Sequence, residues 1–175
     1  MDYTEKVNNI VATAQFGDLI EFAYPERWPY LKWYSHWGVY DGDGYVIHFA
    51  APDEGEVMKR FRNLLSLMQL PFFGDLLLGE TKIRRQLLSD VKVPRGANVS
   101  ISNNRHARRP SAEAEMRQRR DALLDKVLKY DLLTLNCEHF ATFVRYGESI
   151  CNQVPFRAKN TELKEATEKF KHLSS

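Results

Sequence analysis

The stretch HWGVYDGDGYVIHFA, residues 36–50, constrains the fold more than any other part of the chain. Two apolar runs, 36–40 and 45–50, flank DGDG, and this pattern predicts an antiparallel hairpin. Side chains alternate between the two faces of a strand. Trp37, Val39, Tyr45, Ile47 and Phe49 are odd-numbered and bulky and form one core face; His36, Gly38, Tyr40, Val46, His48 and Ala50 form the other set. The odd sets of both strands share a face only if the loop between them has an odd number of residues. A three-residue loop at 41–43 meets this condition. It predicts His36 directly across from His48, with Cβ atoms roughly 4.5–5.5 Å apart. Imidazoles at that separation can hydrogen-bond, one orienting the other. A two-residue turn at Gly42-Asp43 would put them on opposite faces, and two histidines in a hairpin can also be ordinary half-exposed strand residues.

The rest of the chain reads as one domain, for which 175 residues suffice. Residues 18–24 predict a strand that Pro25 ends, and residues 82–93 and 98–102 predict two more. Pro71 and Gly74 prevent the apolar segment 57–78 from forming one continuous helix. Residues 111–130 predict an amphipathic helix with Ser111 as N-cap and with Met116, Leu123, Leu124, Val127 and Leu128 on one face. A second helix is expected from about Cys137 to Gly147. Residues 1–15 read as a weak helix or loose arm, residues 16–150 as the domain, and residues 151–175 as a charged tail ending in a solvent-exposed helix.

A net charge of +2 gives no field that argues for a nucleic-acid partner. Two cysteines, Cys137 and Cys151, make no disulfide framework, and the N-terminus lacks a secretory layout. No run of about 20 apolar residues is present to span a bilayer. The expectation is therefore a cytoplasmic protein, soluble or at most lying on a membrane.

Cys137 is the second chemical signal. Phe140, Phe143 and Val144 recur at helical intervals, and Cys137 lies on the same inward face at the helix N-terminus. Unpaired N–H groups and the positive end of the helix dipole favour a thiolate there. The backbone N–H of Cys137 could also hold a developing oxyanion, and a nearby His36 would take the thiol proton. This chemistry needs no metal and no cofactor. The alternative is a buried cysteine acting as a small hydrophobe, which also suits Cys151. A zinc site from His36, His48 and Cys137 fits by ligand type, but no pair has the usual metal-ligand spacing. His139 reads as structural, and His106 and His172 as solvent-exposed.

HWGVYDGDGYVIHFAAPDE and NCEHFATFVRYG together resemble the lecithin:retinol acyltransferase superfamily, in particular its phospholipase A/acyltransferase, H-rev107-like branch. The resemblance covers roughly residues 16–150. It implies an α+β domain, a circularly permuted NlpC-type, papain-like fold with a small antiparallel sheet packed on helices. It also implies Cys137 as nucleophile, His36 as general base, His48 as the polar third member and Tyr34 near the oxyanion. The implied reaction is attack on a glycerophospholipid ester, an acyl-thioester on Cys137, and transfer to water, a lysophospholipid or the amine of phosphatidylethanolamine. Retinol is the acceptor in the other branch, and Gly38 gives HWG, which that branch favours. A cysteine peptidase or amidase and a non-catalytic membrane-remodelling regulator are the competing readings.

Many relatives end in an apolar anchor, whereas this sequence ends in HLSS. The expectation is peripheral membrane binding, or an anchor in a longer form. Residues 57–78, with Lys59, Arg60 and Arg62, offer an apolar surface beside cationic groups for a membrane surface, or else a core segment. RHARRP with Arg117, Arg119 and Arg120 could touch anionic headgroups, or simply be solvated.

Overall fold

The computed structural model describes residues 1–23, 35–50, 80–91, 93, 96–129, 136–152 and 159–175. The expectations for Tyr34 and for residues 57–78 lie outside the described residues.

The described chain is α+β. Six strands run β1 (Leu19–Ala23), β2 (Ser35–Gly42), β3 (Tyr45–Ala50), β4 (Glu80–Leu87), β5 (Asn98–Ile101) and β6 (Val127–Lys129). They form one sheet in the order β5-β1-β2-β3-β4-β6, with every neighbouring pair antiparallel. The helices are α1 (Tyr3–Thr13), α2 (Glu113–Leu123), α3 (Cys137–Tyr146) and α4 (Lys159–Ser174). Among the described residues, no helix is long and apolar enough to cross a membrane.

Strand alternation divides the core in two. Leu19, Trp37, Val39, Ile47, Phe49 and Ile83, all odd-numbered, pack with Cys137, Phe140, Phe143 and Val144 of α3, Leu123 of α2 and Phe170 of α4. The even set is buried as well: Ile20, Phe22, Tyr40 and Val46 pack with Val7 and Ile10 of α1 and with Leu88 and Val99. The first helix is therefore more than a loose arm. Asp2 and Glu5 form a capping box at its start, and its buried stripe covers the second face of the sheet. Nor is α4 the solvent-exposed helix expected, since Phe170 stacks on Phe143 at 5.3 Å and is fully buried.

The hairpin has the expected parity but reaches it differently. The turn is the two-residue Asp43-Gly44, with φ of 53° and 85°, the positive values that a tight hairpin of this type needs. It pairs Gly42 with Tyr45, and alone it would set odd against even. A bulge between Tyr40 and Gly42 adds one residue to β2 and restores the parity, so that Tyr40 pairs with Val46 and Gly38 with His48. His48 thus lies across from Gly38, not His36; the two histidines are diagonal neighbours on the same face.

Two further expectations change. The strand expected over 82–93 ends at Leu87 and continues as a 3-10 turn, Leu88–Asp90. The helix expected over 111–130 spans only Glu113–Leu123, and Ala112, not Ser111, occupies its N-cap. Asp125 takes a left-handed φ of 66°, and residues 127–129 pair with β4 as a strand. Sheet pairing outweighs the helical spacing of Val127 and Leu128.

Candidate active site

His36 and His48 are both buried, at 6% and 5% relative exposure. Phe22 of β1 lies directly across from His36, with ring centroids 5.6 Å apart. On its other side His36 Nε2 meets His48 Nδ1 at 2.7 Å, with the rings nearly perpendicular. A diagonal pair can be this close because Gly38, opposite His48, has no side chain. A Cβ there would sit 2.6 Å from Val46 Cγ2 and 3.3 Å from His48 Cβ. The far nitrogen of His48, Nε2, is 2.5 Å from Gln86 Oε1 on β4.

These contacts fix a tautomer chain. An amide oxygen can only accept, so His48 carries its proton on Nε2 and donates it to Gln86. His48 Nδ1 is then an acceptor, and His36 donates to it from Nε2. In this arrangement Nδ1 is the ring nitrogen of His36 that lies outside the pair. Burial keeps both rings neutral: it drives His36 well below its usual 6.5, with a smaller contribution from His48. His48 is lowered to about 4, by burial first, with the Gln86 hydrogen bond opposing and Arg84 reinforcing the shift.

Cys137 is the first residue of α3 and is fully buried. Asn136 caps the helix: its Oδ1 accepts from the His139 N–H, and the Asn136 N–H donates to His139 Nδ1, each at 3.0 Å. His139 is thus a structural cap residue, as expected. This box accounts for the amides of Asn136 and His139 and leaves those of Cys137 and Glu138 outside it. The Asn136 side-chain amide also donates to Cys151 Sγ at 3.5 Å, and Cys151 is buried. The thiol of Cys137 donates to the Ser35 carbonyl at 3.6 Å, one peptide unit from His36. Ser35 is itself held by Glu21, a buried carboxylate that accepts from Ser35 Oγ and Ser102 Oγ at 2.7 Å each. Arg105 pairs with the same carboxylate at 3.3 Å.

Residues 12–150 match the family model described as lecithin retinol acyltransferase. The chain belongs to this family. Among curated relatives, it is 32% identical over 141 residues to human (Homo sapiens) "Phospholipase A and acyltransferase 4", covering 79% of this chain and 73% of that protein. It is 34% identical over 139 residues to "Phospholipase A and acyltransferase 1" of Rattus norvegicus, covering 78% and 71%. For human "Phospholipase A and acyltransferase 3" the identity is 33% over 140 residues, covering 79% and 74%.

In this member of the lecithin retinol acyltransferase family, the fold joins His36 to His48 and brings Cys137 to the residue before His36. Among the described residues no group of three or more metal-ligating side chains is found. Sequence reasoning missed Gln86, Ser35 and Glu21, and it misplaced His106. Far from being exposed, His106 is buried, donates from Nε2 to Glu138 at 2.8 Å and lies edge-on to Trp37. Glu138 adjoins Cys137 and also accepts from the Asn152 N–H at 3.1 Å. The arginines of α2 are engaged within the protein. Arg117 pairs with Glu113 and covers Phe16, Arg119 donates to Ser111 and to the Val144 carbonyl, and Arg120 pairs with Asp41.

Proposed function

We propose that this chain is a thiol-dependent phospholipase A and acyltransferase acting on glycerophospholipids, with Cys137 as nucleophile and His36 as its base. Cys137 Sγ attacks the ester carbonyl while its proton passes to His36 Nδ1. The tetrahedral intermediate collapses to an acyl-thioester, and the departing lysophospholipid oxygen takes the proton back from His36. Water, a lysophospholipid hydroxyl or the amine of phosphatidylethanolamine then attacks the thioester, with His36 again as base. The amides of Cys137 and Glu138 at the start of α3 are the natural donors to the oxyanion. Peripheral binding to a membrane surface supplies the lipid.

The observation that carries this reading is the thiol at a helix N-terminus, hydrogen-bonded to the carbonyl that precedes His36. The hydrogen-bonded His36–His48 pair, with the Gln86 oxygen beyond it, supports it, because that chain suits a His36 protonated on Nε2 and basic at Nδ1. So does the similarity to relatives whose names are phospholipase A and acyltransferase.

Intact-protein mass spectrometry after incubation with phosphatidylcholine vesicles tests the reading, with released fatty acid and lysolipid measured in the same tubes. The wild type is expected to gain a hydroxylamine-labile acyl mass or to release product. Cys137→Ala is expected to do neither. Product formation independent of Cys137, or none from the wild type on vesicles it demonstrably binds, would remove the phospholipid reading.

A further inference from the structure

Gln86 belongs to neither sequence motif, yet its side chain ends on the histidine pair. Val46 of β3 is the register partner of Gln86, which makes Gln86 a diagonal neighbour of His48 on the same sheet face. Its Oε1 is 2.5 Å from His48 Nε2. We propose that Gln86 is a positioning residue: its amide oxygen holds His48 in the Nε2–H form and, through His48, fixes the proton of His36 on Nε2 and the lone pair on Nδ1. This rests on the reading of Cys137 as nucleophile, because a lone pair on His36 Nδ1 matters only if a thiol proton must go there.

The chemistry requires such an anchor. A neutral imidazole with one free nitrogen can carry its proton on either atom, and its ring can turn about the Cβ–Cγ bond. If His48 held its proton on Nδ1, it would present a donor to His36 Nε2. His36 would then carry its own proton on Nδ1, where it cannot accept one. An acceptor beyond His48 removes that alternative. The amide's hydrogen bond raises His48 less than burial lowers it, so the ring stays neutral, whereas a carboxylate would add a full negative charge beside it. Of the described groups around His48, Arg84 across on β4 is cationic, His36 on β2 titrates, and Phe22 beyond His36 does neither. Arg84 opposes any charge on His48, and Gln86 supplies no negative charge to offset it.

The test combines imidazole 1H–15N spectra with rate profiles on phosphatidylcholine vesicles for the wild type, Gln86→Leu and Gln86→Glu. In the wild type, His48 is expected to show a protonated Nε2 and a bare Nδ1. Gln86→Leu should lose that single tautomer and lower kcat by about tenfold to a hundredfold, with KM little changed. Gln86→Glu keeps an acceptor, so the tautomer and the activity above pH 8 should persist. Its carboxylate should move the acid limb of kcat/KM to higher pH, a change that mere packing of residue 86 would not cause. A wild-type His48 protonated on Nδ1, or an unchanged Nε2–H signal in Gln86→Leu, would overturn the proposal. The Gln86→Glu profile decides the matter should Gln86→Leu fold poorly: an unmoved acid limb counts against it. Failure of the nucleophile reading has a different signature, since Cys137→Ala would then turn over normally whatever tautomer His48 adopts.

Discussion

His36 and His48 owe their neutrality to burial, and burial also makes them a pH liability. Unfolded, each titrates near its ordinary 6.5; folded, His48 titrates at about 4 and His36 well below 6.5. Between these values the unfolded chain binds more protons, so stability falls as pH drops below 6.5 and levels off below the folded values. From pH 7 to pH 5, His48 alone should cost about 2 kcal/mol. Urea midpoints at the two pH values measure this, and His48→Gln should flatten the dependence. The two histidines were legible in the sequence because alternation within a strand fixes which face a residue occupies. Their separation was not, because it depends on whether a bulge intervenes. Gln86 was not legible at all: nothing in TKIRRQLL marks it, and it meets His48, 38 residues away in the chain, only through the pairing of β3 with β4. His106 was misjudged for a related reason. Its polar neighbours in sequence say nothing about Glu138, which lies 32 residues away and buries with it.

At the scale of elements, α3 is the best-specified piece. Asn136 at the N-cap, the apolar stripe, and Gly147 with φ of 79° at the C-cap all agree on one helix. Its position, however, depends on α4. Phe170 is fully buried and lies within 6.4 Å of the rings of Phe49, Phe140 and Phe143. Phe170→Ala should therefore cost about 3–5 kcal/mol, the usual range for emptying a buried aromatic site, read as a shift of the urea midpoint. A change within about 0.5 kcal/mol would mean that α4 packs loosely. A mean charge pattern cannot reveal this role: with lysines and glutamates around Phe170, the segment KNTELKEATEKFKHLS looks like a solvated helix until a partner for its narrow apolar stripe is known. The same limit shortened α2. The spacing of Val127 and Leu128 suits a helix, and only the free edge of β4 makes them a strand.

Over the whole molecule, the sheet is sandwiched between α2, α3 and α4 on one face and α1 with the 3-10 turn on the other. The imidazole pair belongs to the even-numbered face that α1 helps to cover. Deleting residues 1–14 should therefore expose Phe22, Tyr40 and Val46, lower the melting temperature and raise binding of a hydrophobic dye, instead of trimming a dispensable arm. Unchanged melting would show that α1 contributes little to that face. The sequence by itself determined the strand periods, the capped helix at Cys137 and the side of the hairpin on which each histidine lies, because these follow from backbone geometry over a few neighbouring residues. Only the tertiary structure decided that both faces of the sheet are buried, that a bulge sets His48 across from Gly38, and that Gln86, Ser35 and Glu21 surround the candidate residues. Those contacts join segments far apart in the chain, and their geometry is set by how whole elements pack.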